Sequence, residues 1–288
     1  MDERRLKVFL AVVEEGSVTR AARKLRLAQP SVSQTLRAIE LECGVELFHR
    51  LGRGLRITAA GEALVGPARE ALRSLERVTS AADDAKHLLT GRLDVAALST
   101  LASDPLAALL GRFRSTHAGV SVRVLEAESV PVLATSVRDG SCEVGLGHLP
   151  LRRGDLATVP LGEQQLVLVQ PPGSPGAGRR LRLAALAATP LVVSPPGTGT
   201  RTLLDEAFAS AGIEPSIAVE TAAREATVPL VLAGAGTALL PASIAADARR
   251  RGAVVRRPEP AISRQIGLIH RHGRLSPAAA AFLREATR

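Results

Sequence analysis

The chain has 288 residues, of which 46% are apolar and 23% charged, with a net charge of +9 and no Trp or Tyr. This composition is typical of a globular protein and excludes a disordered, collagen-like or disulfide-rich chain. The length exceeds what one hydrophobic core usually supports, so it predicts two or three domains. Cys43 and Cys142 lack metal or redox spacing and are expected to be reduced thiols.

The N-terminal segment, MDERRLKVFLAVVEEGS, lacks the apolar core of a signal peptide. No apolar run approaches the roughly 20 residues of a membrane span. We therefore expect a cytoplasmic protein without a membrane partner. The positive charge is concentrated in residues 17–56, where eight basic side chains stand against three acidic ones. Such a local excess predicts a polyanionic partner.

Three short apolar repeats in the first 43 residues predict three helices. Ser17 is placed to cap the second helix, and the third begins near Pro30, a residue tolerated in a first turn. Val32, Leu36 and Ile39 recur with helical spacing and form the buried stripe of the third helix. Two such short helices packed on another are typical of a helix-turn-helix.

The third predicted helix has a polar face opposite its apolar stripe. At 100° per residue, Pro30, Gln34 and Arg37 lie on that face, flanked by Ser31 and Ser33. In a helix-turn-helix, these hydroxyl, amide and guanidinium groups would enter the major groove of DNA. A solvated helix face is the alternative, and it would be common for any one of these residues.

A segment rich in glycine and arginine follows the third helix. Arg50, Arg53 and Arg56 surround Gly52 and Gly54, which together predict a short hairpin. The arginines of such a wing would reach phosphates or the minor groove. A plain charged hairpin is the alternative.

A long helix is predicted from Thr58 to about residue 90. Its apolar positions alternate steps of four and three, which is a heptad seam, and they are Leu64, Ala68, Ala71, Leu75, Val78, Ala82, Ala85 and Leu89. A helix with such a seam and no domain of its own needs a partner, most simply its copy in a second chain. We therefore expect a homodimer.

The remaining two hundred residues alternate predicted strands and helices. The first set reads as βαβαβ, with a helix opened by Asp104-Pro105, and implies a mostly parallel sheet covered by helices. A second such set has helices that begin near Thr200, Arg224 and Ala242. The sequence therefore predicts two α/β lobes of similar size.

These motifs resemble those of LysR-type transcriptional regulators. The segment Ser17 to Glu40, followed by GVELFHRLGRGLRITAAGEAL, is similar to the winged helix-turn-helix of that family. The likeness continues through GRLDVAAL, LVVSPPGTGTRTLLDEAFASAG, VLAGAGTALLP and RLSPAAAAFL. One departure is Ala28, where the family usually has Ser or Thr, and this removes a helix cap and a phosphate contact.

The resemblance implies an α/β protein with three parts. A winged helix-turn-helix DNA-binding domain would span 1–58, a long linker and dimerisation helix 59–90, and an effector domain 91–288. The effector domain is expected to be two-lobed, with the periplasmic-binding-protein-like (type 2) fold. Lobe I would comprise about 91–162 and 266–288, and lobe II about 163–265.

The resemblance also implies double-stranded operator DNA, a homodimer pairing into a homotetramer, and a small-molecule effector as partners. The expected DNA-binding residues are Ser17, Gln29, Pro30, Ser31, Ser33, Gln34, Arg37, Arg50 and Arg53. Bases would be read by Gln29, Ser33, Gln34 and Arg37, while Arg50 and Arg53 hold the backbone.

Effector contacts are expected where strands lead into helix N-termini, because ligands of α/β sheets bind there. The expected residues are Ser99, Thr100, His148, Thr198, Thr200 and Arg201. The last three, beside free N–H groups and a helix dipole, would favour an anionic effector over a cationic one. Helix capping with a surface Arg201 and a structural His148 are the alternatives.

No motif of the sequence indicates catalysis. PGTGTRT lacks the lysine of a P-loop, AGAGTA lacks dinucleotide spacing, and GxSxG is absent. His270 and His272 have no acidic or cysteine partner at metal-ligand spacing. We expect no cofactor, no metal and no enzymatic activity. An α/β ligand-binding or enzymatic protein dimerised by its N-terminal helices is the alternative, but it gives no reason for outward Arg37, Arg50 and Arg53.

Overall fold

The computed structural model describes residues 1–51, 54–84, 91–151, 154–175 and 178–287. The N-terminal part contains three helices, a two-stranded antiparallel hairpin and a long helix, which are α1 (Glu3–Glu15), α2 (Val18–Leu25), α3 (Gln29–Cys43), β1 (Phe48–Leu51), β2 (Gly54–Ile57) and α4 (Ala59–Asp84). The predicted winged helix-turn-helix is therefore confirmed.

The N-terminal core contains the predicted stripe of α3. Val32 and Ile39 are 0% exposed and Leu36 is 6% exposed. They pack with apolar side chains of α1 and α2, including Phe9 and Ala21. Each helix therefore contributes one apolar face to a common core, and this packing stabilises even a helix as short as α2.

The helix α4 belongs in part to this core. Ala68 is 1% exposed, and Leu64 and Ala71 are partly buried against the same cluster. The expectation of a helix with no domain of its own is therefore wrong for its first half, because the chain's own helices cover that apolar face. Leu75 is 45% exposed. The side chains of the later seam positions, from Val78 on, lie outside the described residues.

The helix α4 also contacts the C-terminal part of the chain through polar groups. Arg69 Nη1 lies 3.3 Å from Asp139 Oδ1, and Arg73 Nη1 donates to the carbonyl oxygen of Gly140 at 2.6 Å. Glu70 Oε2 lies 3.6 Å from Arg271 Nη2. One helix thus carries contacts to both parts of the molecule.

The C-terminal part begins with three strands and the helices that cover them. These are β3 (Gly91–Leu98), α5 (Ser99–Leu101), α6 (Ala107–Thr116), β4 (Val120–Ala127), α7 (Val130–Arg138) and β5 (Val144–Leu149). β3 pairs in parallel with both β4 and β5, as predicted. The predicted helix start at Asp104-Pro105 is confirmed, because Asp104 is extended (φ −155°, ψ 122°), as an N-cap residue is, and the chain is already helical at Leu106 (φ −59°, ψ −42°) where it enters α6.

The second set of elements forms the other lobe. It contains β6 (Ala157–Gln170), β7 (Arg180–Arg182), β8 (Leu191–Val193), α8 (Gly199–Ser210), β9 (Ile217–Glu220), α9 (Arg224–Leu232), β10 (Ala238–Pro241), α10 (Ala242–Arg250) and β11 (Val254–Glu259). The three predicted helix starts are confirmed within one residue. β7 and β11, which pair in parallel with each other, were not predicted.

Two long strands connect the lobes. β6 and β12 (Ile262–His270) pair antiparallel along their length, and their register shifts between Ile266 and Gly267, opposite Gly162 at φ +132°. On one side of this point, Leu166 and Leu168 of β6 and Ile262 of β12 contribute to a core around Phe208. On the other side, Val159 of β6 and Ile269 of β12 contribute to a core around Phe113. After β12 the described chain continues into α11 (Pro277–Ala286), which packs on the core around Phe113. The two-lobed type 2 fold is therefore confirmed.

The domain boundaries stay a prediction. The expected limits of lobe I and lobe II, at 162/163 and 265/266, fall beside the register shift in β6 and β12. Within the ranges given above, no helix has the length and apolarity needed to cross a membrane.

Candidate functional site

The polar face of α3 is open to solvent. Gln29, Pro30, Gln34 and Arg37 are exposed. Ser31 and Ser33 are half-buried on the same side, and Gln29 Nε2 donates to Ser33 Oγ at 3.3 Å. No carboxylate of the described chain pairs with Arg37. The face therefore presents donors, acceptors and one uncompensated cation, which suits base edges in a major groove; we call these six residues the α3 surface.

The turn before α3 leaves one backbone donor open. Ala28 at the N-cap makes no side-chain hydrogen bond, Pro30 has no N–H, and the N–H of Ser31 donates to the carbonyl oxygen of Ala28 at 3.0 Å, which leaves the N–H of Gln29 for a ligand. Such an N-terminus attracts phosphate oxygens. Ser17 is half-buried and its hydroxyl accepts from the N–H of Arg20 at 3.4 Å. That residue therefore caps α2, as predicted, and its DNA contact stays a prediction.

Partly buried hydrogen bonds connect the start of the hairpin to α3. Glu40 Oε1 accepts from the N–H groups of Leu47 and Phe48 at 2.9 and 3.3 Å. The backbone of Arg50 lies in β1 opposite Leu55. The side chain of Arg50 and the whole of Arg53 lie outside the described residues, so their phosphate contacts stay predictions.

The second site is a cluster of polar side chains between the lobes, around Arg264 of β12. Its Nε and Nη2 atoms donate to Gln164 Oε1 of β6 at 2.8 and 2.6 Å, and Nη2 also lies 3.5 Å from Thr100 Oγ1. Arg264 and Gln164 are each only 8% exposed. Burial and the nearby Arg224 cation lower the pKa of Arg264 to about 10, which leaves a buried cation at neutral pH.

His148 and Gly199 complete this cluster. His148 lies one residue before the end of β5 in lobe I. Burial, followed by the charges of Arg264 and Arg224, lowers its pKa to about 3. A Cβ on Gly199, at the start of α8 in lobe II, would lie 2.9 Å from His148 Nδ1 and 3.2 Å from Arg264 Nη1. The glycine thus permits the close approach of a helix N-terminus to a neutral imidazole and a cation. We call Thr100, His148, Gln164, Gly199 and Arg264 the Arg264 cluster.

Other expected effector residues make different contacts. Ser99 Oγ hydrogen-bonds to Glu126 Oε1, and Thr198 Oγ1 donates to the carbonyl oxygen of Pro195 at 2.9 Å. Arg201 Nε pairs with Asp205 Oδ1 at 2.8 Å, and its Nη1 lies 3.2 Å from Glu220 Oε2. Two carboxylates therefore pair with Arg201, and its expected contact with an effector stays a prediction. Thr200 is half-buried beside it.

Sequence reasoning missed Arg264 and Gln164. Both lie in strands whose other residues are largely apolar, and an arginine inside such a strand is the signal that could have indicated a buried polar site. Their pairing, Arg264 opposite Gln164, depends on the register of β6 and β12, which local patterns do not specify.

The fold and these two sites define a winged helix-turn-helix DNA-binding protein joined to a two-lobed ligand-binding domain. A family model described as the bacterial regulatory helix-turn-helix protein, lysR family, matches residues 4–62. A second, the LysR substrate binding domain, matches residues 86–288. The chain therefore belongs to the LysR family of bacterial regulators, and it is a DNA-binding transcriptional regulator with a domain for a small-molecule effector.

Individual relatives cover nearly the whole chain. The RuBisCO operon transcriptional regulator of Allochromatium vinosum is 32% identical over 283 residues, 97% of this chain and 93% of the relative. A probable hydrogen peroxide-inducible genes activator of Mycobacterium leprae is 31% identical over 270 residues, 92% and 86% of the two chains. The structure of full-length CbnR complexed with its target DNA has a TM-score of 0.71 at 28% identity and covers 99% of each chain.

Proposed function

We propose that this regulator reads operator DNA with the α3 surface and responds to a small anionic effector bound at the Arg264 cluster. The observation that carries the effector proposal is a buried guanidinium with no carboxylate beside it in the described chain. The DNA proposal rests on the exposed polar face of a helix that follows a helix-turn-helix turn.

The charge of Arg264 favours an anion as the effector. Removing a cation from water is costly unless a counter-charge or hydrogen bonds compensate for it. Gln164 supplies an amide dipole only, and the buried Nη1 atom of Arg264 makes no hydrogen bond within the described chain. A ligand carboxylate would supply both a counter-charge and an acceptor for this atom.

Thr100, His148 and Gly199 give this site contacts from both lobes. Thr100 and His148 belong to lobe I, while Gly199 begins a helix of lobe II, whose N–H groups also favour a negative charge. A ligand that touches both lobes favours one arrangement of them, typically by about 1–3 kcal/mol of coupling between sites. The neutral His148 can donate or accept a hydrogen bond according to its tautomer.

The proposed DNA-binding form is a homodimer that pairs again into a homotetramer. Two α3 surfaces related by a two-fold axis would meet half-sites about one helical turn, roughly 34 Å, apart or a multiple of it. The apolar Leu75 of α4, which is 45% exposed, supports a subunit contact along the second half of that helix. Leu75→Asp should therefore lower the subunit number in analytical ultracentrifugation, and an unchanged assembly would exclude this seam.

We also propose that the protein acts in the cytoplasm and is not an enzyme. Its relatives are named transcriptional regulators or activators. A winged helix-turn-helix needs direct access to DNA.

Two measurements on the full-length protein test the proposal. Selection from a random duplex library should yield an inverted repeat, and a thermal-shift screen of small carboxylic acids should yield at least one that stabilises the protein. Sequence-independent binding would contradict the proposed role of the α3 surface. Stabilisation by organic cations, but by no acid, would contradict the Arg264 proposal.

A further inference from the structure

Lobe II carries a second pocket, which is lined by none of the residues of the Arg264 cluster. It lies between α10, β11 and the edge strand β7, and its cavity volume is about 510 Å³. Five arginines line it, and they are Arg179, Arg180, Arg249, Arg256 and Arg257. We call this cavity the arginine pocket.

The local fold brings these arginines together. Arg180 and Arg257 are partners in the parallel pairing of β7 with β11, and the N–H of Arg257 donates to the carbonyl oxygen of Arg179 at 2.7 Å. Arg249 comes from the last turn of α10. Arg256 is 5% exposed, and its Nη2 donates to the carbonyl oxygen of Pro175 at 2.9 Å. One guanidinium is thus fixed within the protein while the other four side chains are exposed at the surface.

Small residues leave the space between these charges open. Ala242 and Ala246, on the face of α10 that carries Arg249, line the same cavity. Larger side chains at these positions would fill the space between α10 and β11. The pocket therefore combines a concave shape with a high density of guanidinium groups.

No carboxylate lines the pocket, and none in the described chain pairs with Arg179, Arg180, Arg249 or Arg257. The neighbouring arginines of Arg249, Arg250 and Arg251, do have a carboxylate partner. Asp247 Oδ1 lies 3.0 Å from Arg250 Nη2, and its Oδ2 lies 3.8 Å from Arg251 Nη1. The acid of α10 thus neutralises the two arginines that do not line the pocket, and it leaves Arg249 with the others. Like charges gathered in this way repel each other, and a bound anion would relieve that repulsion.

We propose that the arginine pocket binds a small polyanion, a molecule with two or more phosphate or carboxylate groups, at a site separate from the effector cleft. Guanidinium groups match both kinds of group with paired hydrogen bonds. The volume is within the range of about 300–1,000 Å³ that is usual for small-molecule sites. A duplex backbone would need a surface that projects into or along a groove, so the concave shape favours a small molecule over DNA.

Isothermal titration of the full-length protein with pyrophosphate and with citrate tests this proposal. The double variant Arg180→Gln/Arg249→Gln should weaken binding about tenfold or more, as expected when two charge-assisted contacts are lost. The control is Arg250→Gln, which removes one positive charge at the position next to Arg249 on α10, where Asp247 pairs with it, and should leave the Kd within about twofold. All three changed arginines are exposed, so circular dichroism should show each variant folded.

Several results would overturn the proposal. Absence of binding by either probe at millimolar concentrations would do so, as would an equal loss in Arg250→Gln, which would indicate a diffuse charge effect. If Arg264→Met abolished probe binding and the double variant left it unchanged, the anion would bind in the effector cleft. A double variant that lowers operator affinity and its salt dependence, without changing probe binding, would assign these arginines to DNA.

Discussion

The α3 surface and the Arg264 cluster are built in opposite ways. The six residues of the α3 surface lie between Gln29 and Arg37, on one helix, and their side chains reach solvent. The five residues of the Arg264 cluster are spread from Thr100 to Arg264, on both lobes and on the strands between them. Helical periodicity alone defines the first site, whereas the second exists only when strand register and lobe packing are in place.

The largest expected effect comes from a substitution in the N-terminal core, which should abolish DNA binding and leave effector binding intact. Val32 is 0% exposed in the N-terminal core, so Val32→Asp should lower the free energy of unfolding of that domain by at least about 3 kcal/mol. Specific DNA binding should be lost in a gel shift, while stabilisation by an effector acid in thermal-shift experiments should remain. Ser33→Asp, which adds the same charge to the half-buried neighbour, is the control and should keep the helix content. Retained DNA binding by Val32→Asp would contradict the separation.

Arg264→Met tests the buried cation. The affinity for any stabilising acid should fall by about 1.5–3 kcal/mol, because a charged hydrogen-bond donor is removed. The free energy of unfolding without ligand should be unchanged or higher, since an apolar side chain replaces a poorly compensated buried charge. Arg274→Met, at an exposed position, is the matched control. Equal acid affinity in both variants, measured by isothermal titration, would refute a contact with Arg264.

Arg37→Ala should act on DNA alone. If Arg37 reads a base, the loss should be about 1–3 kcal/mol and specificity should relax at one operator position. Arg50→Ala, a predicted phosphate contact, should instead weaken all sequences alike and lower the salt slope by about one. Fluorescence anisotropy with the selected operator and single-base variants separates these patterns. An equal loss of affinity for all sequences in Arg37→Ala would indicate that Arg37 contacts the DNA backbone and not a base.

The lowered pKa of His148 predicts that the free energy of unfolding depends on pH. Its folded pKa of about 3 lies below the ordinary histidine value of 6.5, so between these values the unfolded chain binds a proton that the folded chain does not. Stability is therefore highest above pH 6.5 and falls as the pH decreases towards 3. Between pH 7 and pH 5 the wild type should lose up to about 2 kcal/mol more than His148→Gln in denaturant unfolding. Parallel pH profiles would contradict a buried neutral imidazole.

The comparison explains which features the sequence could predict. The stripe of Val32, Leu36 and Ile39 has a helical period, so α3 and its outward face follow from local spacing. Arg201 looked like an anion ligand because it follows a hydroxyl-rich helix start, but Glu220, nineteen residues away, pairs with it. Such a partner is brought close only by the tertiary fold. Arg264 was missed for the same reason.

The long helix shows a further limit of local patterns. Heptad spacing correctly indicated that one face of α4 is apolar, but it does not state which partner covers each part of that face. Ala68 is covered by the chain's own helices, whereas Leu75 is exposed. Short strands with mixed composition, such as β7 and β11, gave no periodic signal at all, so the pairing that assembles the arginine pocket was also missed.

The double attachment of α4 limits how this regulator can be recombined with its relatives. A chimera joined within residues 59–84 would take the helix from one parent and some of its contacts from the other. Ala68 must fit the DNA-binding core, while Arg69 and Arg73 must meet Asp139 and Gly140. Exchange of DNA-binding domains should therefore preserve function best when α4 comes with the new domain and residues 139–141 are matched to it.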